Sequence, residues 1–109
     1  MIRRGSIVLV ALSGDYGKPR PAVVVQADLG DDLVSRIICP LTTTVIEHRD
    51  RFRPIVEPTA DNGLRLRSQI MADKPHVIAI EKLGEPIGQL SPETMAEVSE
   101  ALTLLLGLV

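Results

Sequence analysis

The chain has 109 residues, 45% of them hydrophobic, and a formal charge of −2 at pH 7. That length suits one domain able to bury its own core, and the net acidity excludes a global basic field that would hold nucleic acid without a local cluster. With no Trp, one Tyr and one Phe, the core must be built from Val, Ile and Leu, and an aromatic platform for stacking bases is disfavoured.

Residues 7–12 form a continuous apolar run that predicts a first strand, and Ser13, Gly14, Asp15, Tyr16 and Gly17 supply a loop. Residues 21–27 return as a second strand, joined so closely to the first that the two should pair antiparallel. Between them stands Gly17-Lys18-Pro19-Arg20-Pro21. Proline fixes φ and pushes the residue before it towards extended geometry, so Lys18 and Arg20 should project from the mouth of the second strand. A guanidinium held there can meet a phosphate or carboxylate through two parallel hydrogen bonds. The plainer alternative is a solvated arginine that only brackets a strand end.

Residues 28–32 read as an acidic turn, and 34–41 as a third strand ending in Thr42-Thr43-Thr44. Arg49 to Arg53 alternate charge and bulk and, with Ile55 and Val56, predict a short solvated edge strand. Residues 59–63 signal a turn, and 64–72 and 77–83 predict two further strands split by Asp73-Lys74-Pro75, with 86–89 finishing the sheet. The period then changes. Ser91 is placed to cap a helix that has Pro92 at its first position and Glu93 in its first turn. Leu90 and Met95 are spaced as a hydrophobic staple, and Met95, Val98, Leu102 and Leu105 recur at helical spacing up to Gly107. Short strands followed by one helix predict a mainly β fold, a small SH3-like barrel with a C-terminal α-helix. The chain shows no repeat or linker, so residues 1–109 are read as a single domain.

The only cysteine, Cys39, excludes an internal disulfide and a cysteine-based zinc site. Its apolar setting points to an inert buried thiol, which suits a reducing cytoplasm. No apolar run is long enough for a signal sequence or a membrane span. His48 and His76 belong to no spaced ligand set, no phosphate-binding glycine loop is present, and Asp31-Asp32 reads as a solvated turn. What remains is a set of polar groups at strand ends: Arg20, the threonine cluster, Ser68-Gln69, and the basic residues Arg49, Arg51, Arg53, Arg65, Arg67 and Lys74. Most of these can be explained as charges that blunt sheet edges. A fixed arginine beside a hydroxyl is also a minimal kit for stabilising a pentavalent phosphorane.

The opening Arg3-Arg4-Gly5-Ser6-Ile7-Val8, the segment Arg20-Pro21-Ala22-Val23-Val24-Val25, the strand end Cys39-Pro40-Leu41-Thr42-Thr43, Ser68-Gln69-Ile70 and the terminal helix together resemble the MazF/PemK-like toxins of bacterial type II toxin-antitoxin systems. The resemblance implies an SH3-like barrel, a cytoplasmic homodimer and a sequence-specific endoribonuclease that cuts single-stranded RNA, often messenger RNA, without metal or other cofactor. It makes Arg20 and Thr42 the catalytic pair and implies RNA contacts from Lys18, Thr43, Arg67, Ser68, Gln69 and Lys74. Thr43 rivals Thr42 if the register slips by one. The implied reaction is attack of the RNA's own 2′-hydroxyl on the adjacent phosphate, giving a 2′,3′-cyclic phosphate and a 5′-hydroxyl. The implied inhibitor is a cognate antitoxin whose acidic, disordered tail lies along a basic groove, which is expected to be formed by Arg20 with some of Arg49, Arg51, Arg53, Arg65, Arg67 and Lys74. Two departures stand out: Lys18-Pro19 replaces glycine-rich sequence, and Met71-Ala72 follows Gln69 where many relatives carry a basic residue and then Ser or Thr. The alternative is a noncatalytic CcdB-like toxin that binds DNA gyrase, but the Trp-Gly-Ile tail of such proteins is missing.

Overall fold

The computed structural model describes residues 1–108. Seven strands and one helix follow one another as β1 (Ser6–Ala11), β2 (Pro19–Val24), β3 (Ser35–Thr42), β4 (Ile55–Val56), β5 (Ser68–Ile70), β6 (His76–Ala79), β7 (Gly88–Gln89) and α1 (Pro92–Leu105). They make one antiparallel sheet in the order β4-β5-β3-β2-β1-β7, with β6 paired to the start of β3. This is the mainly β arrangement with a terminal α-helix that the sequence predicts, its sheet a half-barrel.

The unbroken apolar runs in β1, β2 and β3 arise because successive side chains point to opposite faces and both faces are covered. On one face Ile7, Val23, Cys39, Leu41 and Ile70 pack with Met95 and Val98 of α1. On the other, Val8, Val10, Ala22, Val24 and Ile38 form a smaller cluster that Ile2, Ile78 and Leu83 close. Helix α1 starts where expected. The Ser91 hydroxyl accepts from the Thr94 N–H, Pro92 opens the helix, and Leu90 and Met95 are both buried beside it.

Several boundaries differ from the sequence reading. Strand β2 begins at Pro19, so Arg20 lies within the strand, opposite Val10, rather than in the loop before it. The segment expected as an edge strand near Arg49 to Phe52 is instead a 3-10 turn, Glu47–Arg49, and a bend, leaving only Ile55 and Val56 as strand. Of residues 64–72 only Ser68–Ile70 is paired, and 77–83 splits into β6 and a 3-10 turn, Ile80–Lys82. In each case local β-propensity lacked a partner strand, and packing rather than propensity decides such segments.

Candidate active site

Pairing parity in β2 shapes the site. The Val24 carbonyl accepts from the Gly5 N–H, while the Val25 N–H donates to the Ile37 carbonyl, so even residues of β2 bond towards β1 and odd residues towards β3. Pro19 and Pro21 are odd. They have no N–H to offer β3, and the β2–β3 ladder, which runs Val24↔Ile38, Val23↔Cys39, Ala22↔Pro40, stops there. Freed from β2, the end of β3 pairs only with β5, through Leu41↔Ile70 and Thr42↔Gln69. Two strands therefore part at Arg20 and Thr42. Continuing the ladder by two residues sets Arg20 across from Thr42, and both occupy the face of Val10, Ala22 and Ile38. That face changes from apolar to polar residues at this point.

The Arg20 side chain is 36% exposed, and its Nη2 donates to Asp15 Oδ1 at 2.7 Å. Asp15 was legible in the sequence only as a turn residue. Its position comes from the hairpin: Gly14, Tyr16 and Gly17 all have positive φ, which curls the loop back over β2. The Thr42 Oγ1 accepts from the Thr44 N–H at 3.1 Å, which tightens the chain as it leaves β3 and leaves the hydroxyl proton available.

Gln69, expected to touch RNA, is fully buried. Its Oε1 accepts from the Ile46 N–H at 2.8 Å, and its Nε2 donates to the carbonyls of Ile46 and Arg53 at 3.0 and 2.8 Å. In this state it straps down the loop that follows Thr42. Arg53 is also buried, and it grips both oxygens of Asp73 at 2.8 and 2.9 Å. That hydrogen bonding holds the Asp73 carboxyl below its usual range.

The basic track expected from the sequence is thus only partly free. Arg53 is withdrawn into the fold, Arg67 is bridged to Glu47 and Glu57 at 3.0 and 2.9 Å, and Arg51 lies over the Phe52 ring at 5.6 Å. Lys18, Thr43 and Lys74 are exposed, and the buried Ser68 donates its hydroxyl to the Leu66 carbonyl. Thr43 lies apart from Thr42. It lines a groove of about 470 Å³ with Leu9, Pro19, Pro21, Arg65 and Ser68, on the other side of β2 from Arg20. Burial, then the charge of Asp73, pushes the Cys39 thiol up to about 12, so it is inert at neutral pH. Among the described residues no group of three His, Cys, Asp or Glu is placed to hold a metal ion, and no helix is long and apolar enough to cross a membrane.

The family described as PemK-like, MazF-like toxin of type II toxin-antitoxin system matches residues 3–106. The chain is 34% identical to a probable endoribonuclease MazF of Mycolicibacterium smegmatis, the match spanning 98% of each protein. It is 32% identical to endoribonuclease MazF9 of Mycobacterium tuberculosis, over 99% of this chain and 98% of that one. A mycobacterial endoribonuclease solved in complex with its cognate antitoxin shares the fold, with a TM-score of 0.83 over 100% of this chain and 98% of that one, at 23% identity. Sequence match and fold agree, and the chain belongs to the PemK-like, MazF-like toxins of type II toxin-antitoxin systems.

Proposed function

We propose that this protein is the toxin of such a pair and an endoribonuclease that cuts single-stranded RNA, with Arg20 and Thr42 at the reacting phosphate. The observation that carries the reading is the register of β2 and β3, which puts a guanidinium and a hydroxyl on one face where the strands part. The RNA's 2′-oxygen attacks phosphorus as its proton passes to solvent water, the bond from phosphorus to the 5′-oxygen breaks, that oxygen takes a proton from water, and a 2′,3′-cyclic phosphate and a 5′-hydroxyl result. Arg20 neutralises the charge gathering on the phosphoryl oxygens, and Thr42 donates its hydroxyl to one of them. A guanidinium stays protonated throughout, so its role is electrostatic rather than that of a base.

Lys18, Thr43 and Lys74 are exposed and suited to the RNA backbone and bases. Arg67 joins them by exchanging Glu47 and Glu57 for phosphate, and Gln69 and Ser68 serve by fixing the loop between. The inhibiting partner is an antitoxin with an acidic tail, which offers the same guanidinium groups closely spaced anions, as phosphates do. The toxin acts as a homodimer in the cytoplasm, where its RNA is found. The relatives compared are endoribonucleases, and no observation here favours the gyrase-binding alternative.

Incubation of the purified protein with a long RNA in EDTA, with the cut ends mapped, tests the reading. Cleavage should persist in the chelator and leave cyclic phosphate ends, and a single 2′-deoxy nucleotide at the scissile position should block it. Cleavage of the deoxy substrate would mean that an activated water attacks instead.

A further inference from the structure

We propose that the groove behind β2 takes one unpaired base flanking the scissile phosphate and, through Arg65, selects guanine or uracil over adenine or cytosine; the inference rests on the endoribonuclease reading above. The groove holds about 470 Å³, a volume within the range of ligand pockets. Its position follows from strand geometry. Successive side chains of a strand point to opposite faces, so Pro19 and Pro21, the neighbours of Arg20, turn away from it and line the groove, as does Thr43, the neighbour of Thr42. On both strands the groove is thus one residue, about 3.3 Å of chain, from the residue that meets the phosphate. A nucleotide held by Arg20 and Thr42 can lay a flanking base over the strand ends and into the groove.

The lining suits a base, which is apolar on its faces and polar along its edge. Leu9, Leu64, Leu66 and Ile87 join the two prolines as apolar walls, and Leu9, Leu66 and Ile87 stay exposed there, outside both apolar clusters. The walls are set before a ligand arrives. Gly63, at φ 70°, lies so close to the Ile87 carbonyl that a Cβ would clash with it, and the Ser68 hydroxyl holds the Leu66 carbonyl at 2.9 Å.

Arg65 sets the choice of base. Arg20, Arg53 and Arg67 each meet a carboxylate, whereas Arg65 is exposed at the groove and enters no ion pair among the described residues. None of the lining residues is acidic, and the Ser68 hydroxyl is spent on Leu66. The side chains therefore offer mainly donors. Guanine and uracil present carbonyl oxygens to them, and guanine O6 and N7 match the guanidinium fork. Adenine and cytosine carry an amino donor in the corresponding place, which would face another donor. Unpaired bases of RNA are commonly read along their edges in this way, and one good contact discriminates about 10- to 100-fold.

The full chain is tested on an RNA library randomised on both sides of a mapped cut, and the products of wild type, Arg65→Ala and Arg65→Glu are sequenced. Wild type should prefer guanine or uracil about 10-fold or more at one of the two positions flanking the cut. Arg65→Ala should bring that preference below about threefold, and Arg65→Glu, which replaces donors by acceptors, should turn it towards adenine or cytosine. The quantity read is a ratio between bases, so a uniform loss of affinity from the changed charge cancels. An arginine that only held the RNA backbone would weaken all sequences alike; base ratios that are the same in all three proteins, or that change only at positions remote from the cut, would overturn the proposal. A second measurement needs no cleavage. The 5′-monophosphates of guanosine, uridine, adenosine and cytidine are titrated into 15N-labelled protein. The guanosine or uridine nucleotide should shift the Thr43 and Leu66 amide signals and the Arg65 Nε–H at concentrations where the other two do not, and Arg65→Glu should abolish that selectivity. Equal shifts from all four, or none at these residues, refute the base pocket. Base-selective shifts in a protein that cuts no RNA would keep the pocket and sink the endoribonuclease reading instead.

Discussion

Arg53 and Arg20 each face an aspartate, yet Arg53 closes on both oxygens of Asp73 at 2.8 and 2.9 Å, whereas Arg20 gives Asp15 a single N–H at 2.7 Å. The Arg53 side chain is 10% exposed and Arg20's is 36%. In the first pair two guanidinium N–H groups meet both carboxylate oxygens, and the Arg53 carbonyl is also held by Gln69. In the second a carboxylate oxygen stays unmet and most of the guanidinium's donors are unspent. The same two residue types therefore make a fastening in one place and an open site in the other. What separates them is the backbone each is mounted on. Arg53 ends a loop that folds back under β5, while Arg20 sits between two prolines in a strand that has lost its neighbour.

The comparison would break first on activity. Arg20→Lys should reduce cleavage by roughly 10³-fold or more, because a lysine cannot present the planar fork to two phosphoryl oxygens. Melting should change little, since the lysine keeps the positive charge beside Asp15 and only one hydrogen bond is at stake. Thr42→Ala, which removes one donor, should cost about 10²-fold, with Thr43→Ala costing less and acting through RNA affinity, because Thr43 lies in the groove beyond Pro19. Cleavage rates and melting curves of the three variants check this. Wild-type rates in Arg20→Lys would make the open pair ornamental.

The opposite signature should come from the closed pair. Arg53→Met keeps the buried length of the side chain and removes its charge, leaving the Asp73 carboxylate without a donor. Breaking a buried pair commonly costs 3–5 kcal/mol, but Asp73 is one-third exposed and can regain water, so about 2–3 kcal/mol is expected. Urea unfolding reads the loss. Its effect on cleavage should be only what the loosened loop after Thr42 brings, so a variant with full stability and no activity would reverse the assignment of the two pairs.

The two sites were not equally legible. The proline bracket around Arg20, the threonines at the end of the third strand and the cap, staple and stripe of α1 were all readable, because each depends on residues adjacent in sequence. The helix start at Ser91 and Pro92 follows from local chemistry alone. The strand limits of β4, β5 and β6 were not readable, since a strand exists only where another reaches it, and the residues between 43 and 53 find no partner. Charge was the least legible feature. Arg49, Arg51, Arg53 and Arg67 look alike in sequence, but distant carboxylates decide that Arg53 and Arg67 are occupied. Asp15 was hidden for a related reason: the backbone twist at Gly14, Tyr16 and Gly17, rather than the residue type, brings a turn aspartate back onto Arg20.

The smallest expected effect is a pH dependence that belongs to the closed pair. Hydrogen bonding from Arg53 lowers the Asp73 carboxyl below its ordinary value, an effect that burial only partly offsets. A carboxyl near 3.9 in the unfolded chain and lower in the folded one binds its proton more weakly when folded. The stabilisation is therefore fully present above the unfolded value and is lost as pH falls from there through the folded value. Since Asp73 is partly solvated, this contribution should stay below about 1 kcal/mol. Every other carboxylate titrates in the same acid range, so the quantity to measure is a difference. Wild type and Asp73→Asn are unfolded in urea at pH 6 and again near pH 2.5, and the gap between their midpoints is followed. It should be widest at pH 6 and shrink on acidification, because at low pH a protonated Asp73 is close to the asparagine that replaces it. A gap that stays constant would mean that Asp73 serves through shape alone, and the contrast between the two pairs would then rest on packing rather than on charge.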